Sequence, residues 1–278
     1  MMRRLVWSPL LFLAAAAAAD EDSLILQEWA PDVPQRIELR AQGGVLNDTE
    51  ANASNLVNSA TFAGDGEAAV EQTIGPDQKQ QIHLTLTATD GVGVDGGLQN
   101  AANIAAVGGT RLRVEQREVG DGLEQEVQLR IAASAPTSRL EGAGEDGASR
   151  LSGGNLLNSA SYLDNPDHGG VSYSLDQDLD GTLGLSQRVE AVVTANDGGE
   201  GGFGLSFQNS LNTFTAALEG EGGRFTVRQN AGEGTVQSID LRVDADADDT
   251  PPAGSAEGIA LSGQNIANFV SVTRTVER

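Results

Sequence analysis

Asn55-Leu56-Val57-Asn58-Ser59-Ala60-Thr61-Phe62 returns a hundred residues later as Asn155-Leu156-Leu157-Asn158-Ser159-Ala160-Ser161-Tyr162. Near-identity over that distance makes internal repetition the first question to ask of the chain. The Asn-x-x-Asn pair that opens the string recurs at Asn100/Asn103, Asn209/Asn212 and Asn265/Asn268, giving five copies at spacings of 45, 55, 54 and 56 residues. Gln99, Gln208 and Gln264 stand before the second, fourth and fifth copies.

Two further elements travel with the first four copies. One is an apolar-x-Gln string ending at Gln72, Gln116, Gln177 and Gln229; the other opens at Gln80, Gln125, Gln187 and Gln237 and alternates apolar residues every second position, as in Gln80, Ile82, Leu84, Leu86, Ala88. Period-two alternation with Thr, Arg, Glu and Asp predicts strands with one buried and one wet face. Gly-rich gaps such as Gly120-Asp121-Gly122 and Gly232-Glu233-Gly234 supply turns and deny helices their length. The polar stretches 134–153 and 246–258 read as loops between repeats. An incomplete strand, Gln35, Ile37, Leu39, Ala41, comes before the first full repeat.

The fold class is therefore all-β, a repeat-built β-solenoid or stacked sheet. About four three-stranded repeats start near 55, 100, 155 and 209, with a partial strand before them and a closing strand over 264–276. This gives fourteen strands in one array over 35–278, preceded by an N-terminal segment, 20–34. Short connections between the two Gln-bearing strands predict antiparallel hairpins that bring Gln72 near Gln80, Gln116 near Gln125, Gln177 near Gln187 and Gln229 near Gln237.

Carrying the same parity into the Asn-x-x-Asn strand puts Leu56, Asn58, Ala60 and Phe62 on one face, with Ala101, Asn103, Ala105 and Val107 in the next copy. Every strand then carries an inward amide. A lone buried amide costs ~1–3 kcal/mol when unsatisfied, but equivalent amides stacked ~4.8 Å apart satisfy one another. The candidate structural residues are thus Asn58, Asn103, Asn158, Asn212 and Asn268, expected on one row, with Gln72, Gln80, Gln116, Gln125, Gln177, Gln187, Gln229 and Gln237.

Inward Asn and Gln at fixed strand positions, Gly turns, and Asn-x-Ala at Asn58, Asn103 and Asn158 resemble the curlins and Fap-type functional amyloids, bacterial extracellular fibre subunits. The units here are longer than curlin repeats, with three strands and many charges. The resemblance implies export in an unfolded state through outer-membrane secretion machinery. It also implies ordered assembly outside the cell with copies of the same chain, head to tail, or with related fibre subunits.

Residues 1–19 read as a signal peptide: Arg3 and Arg4 lead an apolar run, Leu5 to Leu13, and small residues to Ala19. Its removal takes the net charge from −23 to −25. Such a surface argues against nucleic acid as a partner. The expected location is extracellular, secreted or on the surface of a Gram-negative-type bacterium. With no Cys in 278 residues, disulfides cannot supply stability.

Catalysis has no visible grammar: His83 lies on the outward parity of a strand, His168 sits in a Gly-rich turn, and no nucleophile motif surrounds either. The expectation is a non-enzyme with no small-molecule substrate and no cofactor beyond calcium. Asp176, Asp178 and Asp180, followed by Gly181, open like a calcium loop. A fibre or matrix subunit ranks first. A monomeric, calcium-assisted adhesin that binds glycans or a surface is the alternative, followed by a 14-stranded outer-membrane barrel.

Overall fold

The computed structural model describes residues 4–6, 16–17, 23–29, 34–63, 66–135, 138–140, 149–163, 171–179, 184–197, 202–219, 223–246 and 259–275. Two short strands come first, β1 (Arg4–Val6) and β2 (Ala16–Ala17). Five rungs of three long strands follow. The first is β3 (Ser23–Trp29), β4 (Gln35–Gly43) and β5 (Leu46–Ala63), and the second β6 (Glu67–Ile74), β7 (Lys79–Ala88) and β8 (Gly91–Gly108). The third holds β9 (Arg111–Glu118), β10 (Glu124–Ala133), the two-residue β11 (Arg139–Leu140) and β12 (Ser149–Tyr162). The fourth is β13 (Val171–Asp178), β14 (Ser186–Asp197) and β15 (Phe203–Glu219), and the fifth β16 (Gly223–Asn230), β17 (Val236–Asp246) and β18 (Ile259–Thr275).

Corresponding strands of successive rungs pair in parallel and build three walls of a solenoid. The first wall runs β3-β6-β9-β13-β16. The second runs β4-β7-β10-β14-β17, and the third β5-β8-β12-β15-β18. Like residues stack on like: Gln35, Gln80, Gln125, Gln187 and Gln237 form one column. β11 pairs with β8 and β14, so part of the stretch expected to be a loop joins the second wall to the third. Another part, residues 149–153, is already strand β12.

Alternation produces the walls as expected. β7 buries Gln80, Ile82, Leu84, Leu86 and Ala88 and turns the intervening residues outward. Aliphatic residues of the second wall pack against the front half of the third wall, around Leu98, Leu151 and Leu205. The first wall packs against the rear half, around Phe62, Tyr162 and Phe214. A third cluster, including Trp29, Ile74, Leu123, Leu157 and Leu179, fills the corner where the first two walls meet. Burial on this scale contributes ~25 cal/mol per Å² of apolar surface, which is how a thin chain with 4% aromatic residues holds its shape.

Three expectations are corrected. Among the described residues the array has fifteen long strands rather than fourteen, because Ser23–Trp29 completes the first rung. The Gln-bearing strands of one repeat are not antiparallel hairpins: β6 pairs with β3 and β9, while β7 pairs with β4 and β10. Parity fixes which face a residue occupies and not which strand lies beside it, and a short gap serves a solenoid corner as well as a hairpin. Parallel pairing also departs from the antiparallel strands of an outer-membrane barrel.

The third correction concerns the Asn-x-x-Asn strand, which begins well before the first Asn and bends at the second. Asn58, Asn103, Asn158, Asn212 and Asn268 have φ of 51, 55, 52, 48 and 56°, a left-handed conformation that Asn tolerates better than other side-chain-bearing residues. The bend resets the alternation. Upstream of it Ala51, Ala53 and Asn55 are buried, downstream Ala60 and Phe62, and Leu56, expected inside, is only half-buried.

Candidate functional site

Four amide ladders run the length of the stack, and two of them carry every Asn and Gln singled out from the sequence apart from the second-wall column. In the first wall, Gln72 Nε2 donates to Gln27 Oε1 at 2.8 Å, Gln116 to Gln72 at 2.8 Å, Gln177 to Gln116 at 2.7 Å and Gln229 to Gln177 at 2.8 Å. The second wall repeats this from Gln80 to Gln35, Gln125 to Gln80, Gln187 to Gln125 and Gln237 to Gln187, at 2.7–2.9 Å. In the third wall the second Asn forms a row as expected: Asn58 Nδ2 donates to Asn103 Oδ1, Asn103 to Asn158, Asn158 to Asn212 and Asn212 to Asn268, at 2.9–3.0 Å.

The fourth ladder was missed. Asn55 donates to Asn100, Asn100 to Asn155, Asn155 to Asn209 and Asn209 to Asn265, at 2.8–2.9 Å. Unbroken parity excludes Asn55 from the face that holds Asn58. The left-handed bend between them puts both inside, and the readiness of Asn to adopt that bend was the available signal. Gln27 was missed too, although Ile25-Leu26-Gln27 has the apolar-x-Gln form and lies one 45-residue period ahead of Gln72.

The ladders also tie opposite walls together. At each bend the Asn is skipped in the strand pairing, as between Val57 and Ser59, and a Gln takes up its carbonyl. Gln72 Nε2 donates to the Asn58 carbonyl at 2.5 Å, Gln116 to that of Asn103 at 2.6 Å and Gln177 to that of Asn158 at 2.6 Å. In return Asn58 donates to the Thr73 carbonyl and Asn100 to that of Glu126. Buried amides with both donors and acceptor engaged avoid the desolvation cost that isolated ones carry.

Direction distinguishes the two ends. Both Gln ladders donate toward the N-terminus and both Asn ladders toward the C-terminus. The last rung therefore presents Gln237 Oε1 and Asn268 Nδ2 outward along the stack axis, with no further ladder partner among the described residues. It also presents core. Leu261, Val270 and Val272 are 46%, 48% and 46% exposed, and Ile259 and Phe269 are exposed as well.

Other candidate groups lie away from this end. Asp176 and Asp178 fall on the outer face of the first wall, Asp176 in register between Glu115 and Arg228; Asp180 lies outside the described residues. Among the described residues no group of three or more His, Cys, Asp or Glu is arranged to hold a metal ion. His83 is outward as expected, its Nε2 3.5 Å from Glu126 Oε2, and His168 is outside the described residues.

One acid breaks the apolar corner. Glu118 occupies the register position of Ile74 and is 5% exposed. Burial, helped by nearby Asp121, pushes its carboxyl from the ordinary 4.5 up to about 8, against a smaller opposing pull from the Leu123 N–H. Neither carboxyl oxygen reaches full hydrogen-bond geometry with a donor.

Compared with known proteins, the chain matches no protein family, no curated protein and no solved structure.

Proposed function

We propose that the protein is a secreted structural subunit of an extracellular fibre or biofilm matrix, assembling head to tail through its amide ladders and open β-edges. The observation that carries this reading is the rung of β16, β17 and β18, whose apolar columns are exposed and whose ladder amides have no further ladder partner among the described residues. An unprotected, flat strand edge is a template for another chain. The resemblance to curlin-like fibre subunits, the export signal read at residues 1–19 and the lack of any catalytic constellation in the sequence support the same reading. The work of such a protein lies in stacking rather than in a reaction.

Charge would govern its pace. A chain near −25 repels its own copies, and the repulsion weakens with salt and as pH falls toward the sequence pI of 4.2. The test is electron microscopy and fibre diffraction of residues 20–278. Filaments with a ~4.8 Å reflection along the fibre axis, forming faster in acid or salt, are expected. A chain that stays monomeric by light scattering under all these conditions overturns the reading.

A second reading, a monomeric adhesin, draws on a notch in the outer face of the third wall. The notch has a volume of about 550 Å³, Gly153 and Gly154 line it, and Asn52, Gln99, Ser152 and Gln208 flank it without a charged residue. A neutral glycan is the ligand such a lining would suit. Glycan-array binding by a monomer that forms no filaments would favour it.

A further inference from the structure

One wall of the three carries no charge over most of its length. The register aligns residues 51–63 of β5, 96–108 of β8, 151–163 of β12, 205–217 of β15 and 261–273 of β18 side by side. None of these stretches contains Asp, Glu, Lys, Arg or His. Every long strand of the other two walls holds at least one charged residue, such as Arg111 and Arg113 on β9, Arg188 and Glu190 on β14, and Asp240 and Arg242 on β17. Parallel stacking is common to all three walls, so stacking does not by itself exclude charge from the third.

The outer face of the third wall is built from small, neutral side chains. Asn52, Ser54, Thr61, Ser152, Ser206 and Thr215 are exposed on it. Depletion of charge is the compositional mark of an interface core. The net charge of −23 resides elsewhere on the chain, so two copies meeting by their third walls keep their acids on the far sides. A sheet-to-sheet spacing of ~10 Å within each copy holds those acids further apart than the ~8 Å over which salt screens exposed charges.

Size and shape both suit a second copy. Thirteen residues at ~3.3 Å each, over five strands ~4.8 Å apart, make a face on the order of 1,000 Å², against ~800 Å² per partner in a standard stable interface. The notch of about 550 Å³ lies on this face, where Gly154 and Ser210 are buried in its lining and Gln99 and Gln208 stand exposed beside them. A two-fold contact brings the same patch from both copies, so the projecting amides of one can enter the recess of the other.

We infer that the outer face of the third wall is a pairing surface, on which two copies of this chain dock back to back across a two-fold axis. The contact is lateral and separate from head-to-tail stacking; in a fibre it joins two filaments side by side.

The experiment uses residues 20–278, which keep every long strand, with Val270→Lys to block the open end, and follows self-association by sedimentation equilibrium. Ser152→Glu with Ser161→Glu adds two charges to the middle strand of the face. Ser172→Glu with Ser174→Glu adds the same two at exposed positions of β13 in the first wall, so net charge is matched. The parent is expected to dimerise at micromolar concentration or below. Its dissociation constant should rise at least a hundredfold in the first pair and less than threefold in the second, with urea midpoints of both no lower than the parent's. Ser152→Lys with Ser161→Lys, opposite in sign, should lose the dimer as the Glu pair does. A parent that is monomeric throughout, equal weakening by the two Glu pairs, or no weakening by either overturns the pairing surface. So does a monomeric parent whose binding on a neutral-glycan array is lost in the first pair, which assigns the face to glycan instead. Dimers that behave as expected, from a chain with native Val270 that forms no filaments, leave the pairing surface standing and remove the fibre reading; filaments without dimers do the reverse.

Discussion

β15 and β18 are in effect one strand written twice. Leu205 and Leu261 share a column, as do Phe214 and Val270, and Asn212 and Asn268. Leu205 is 1% exposed and Leu261 46%; Phe214 is fully buried and Val270 is not. A residue in a solenoid is therefore core or surface according to whether another rung follows it, and its own chemistry says little about which. Stability in such arrays is close to a sum of nearest-neighbour terms, so the interior and the open end should answer differently to the same substitution.

The largest difference is expected in the apolar columns. Phe214→Ala leaves a cavity among Tyr173 and Phe225, whose rings lie 5.1 and 5.9 Å from its own, and should cost about 3–5 kcal/mol in a urea melt. Val270→Ala in the same column should stay within about 0.5 kcal/mol in the monomer. Equal losses would mean that the last rung is covered in solution. The amide rows should show the next largest contrast. Asn158→Ala strands the Asn103 donor and the Asn212 amide and places a residue less suited to φ near 52° at the bend. A cost of roughly 2–4 kcal/mol is expected, against less than about 1 kcal/mol for Asn268→Ala, which strands only one neighbour.

Glu118 adds a pH signature to the interior alone. Its native carboxyl, at about 8, holds a proton that the unfolded chain releases near 4.5. The native state thus binds more protons between those values, and stability falls as pH rises through that window. Replacing Glu118 by Leu, the residue type the corner otherwise uses, should flatten the urea midpoint between pH 5 and pH 8. It should also raise stability at pH 8 by roughly 2–4 kcal/mol. A midpoint that falls as steeply in Glu118→Leu as in the native chain would assign the pH dependence to the surface acids.

Much of this fold was legible because repetition turns one ambiguous strand into several concordant ones. The inward Gln columns, the Asn58 row and the alternation of β7, β10 and β14 follow from spacing and parity. What parity could not supply was neighbour identity, so the parallel stacking of Gln72 on Gln116 was read as a hairpin with Gln80. Nor could it foresee the left-handed bend, where backbone geometry overrides alternation and brings Asn55 inside beside Asn58. Glu118 was invisible for a different reason: among forty acids, nothing local marks the one that takes an apolar residue's place in a column.

The smallest expected effect on stability separates the open end most sharply from the rest. Val270→Lys and Val270→Glu place opposite charges on a position already 48% exposed, so each should leave the monomer's urea midpoint unchanged within about 0.5 kcal/mol. Their effects on assembly should be large and alike, because a charge buried without a partner is costly whatever its sign. The pair also isolates long-range repulsion, since Lys lowers the net negative charge and Glu raises it. If the face is the contact, both variants should stop assembly as measured by light scattering, in low salt and in high. If Lys assembles as fast as the native chain, or faster, net charge sets the rate and the last rung is not where copies meet.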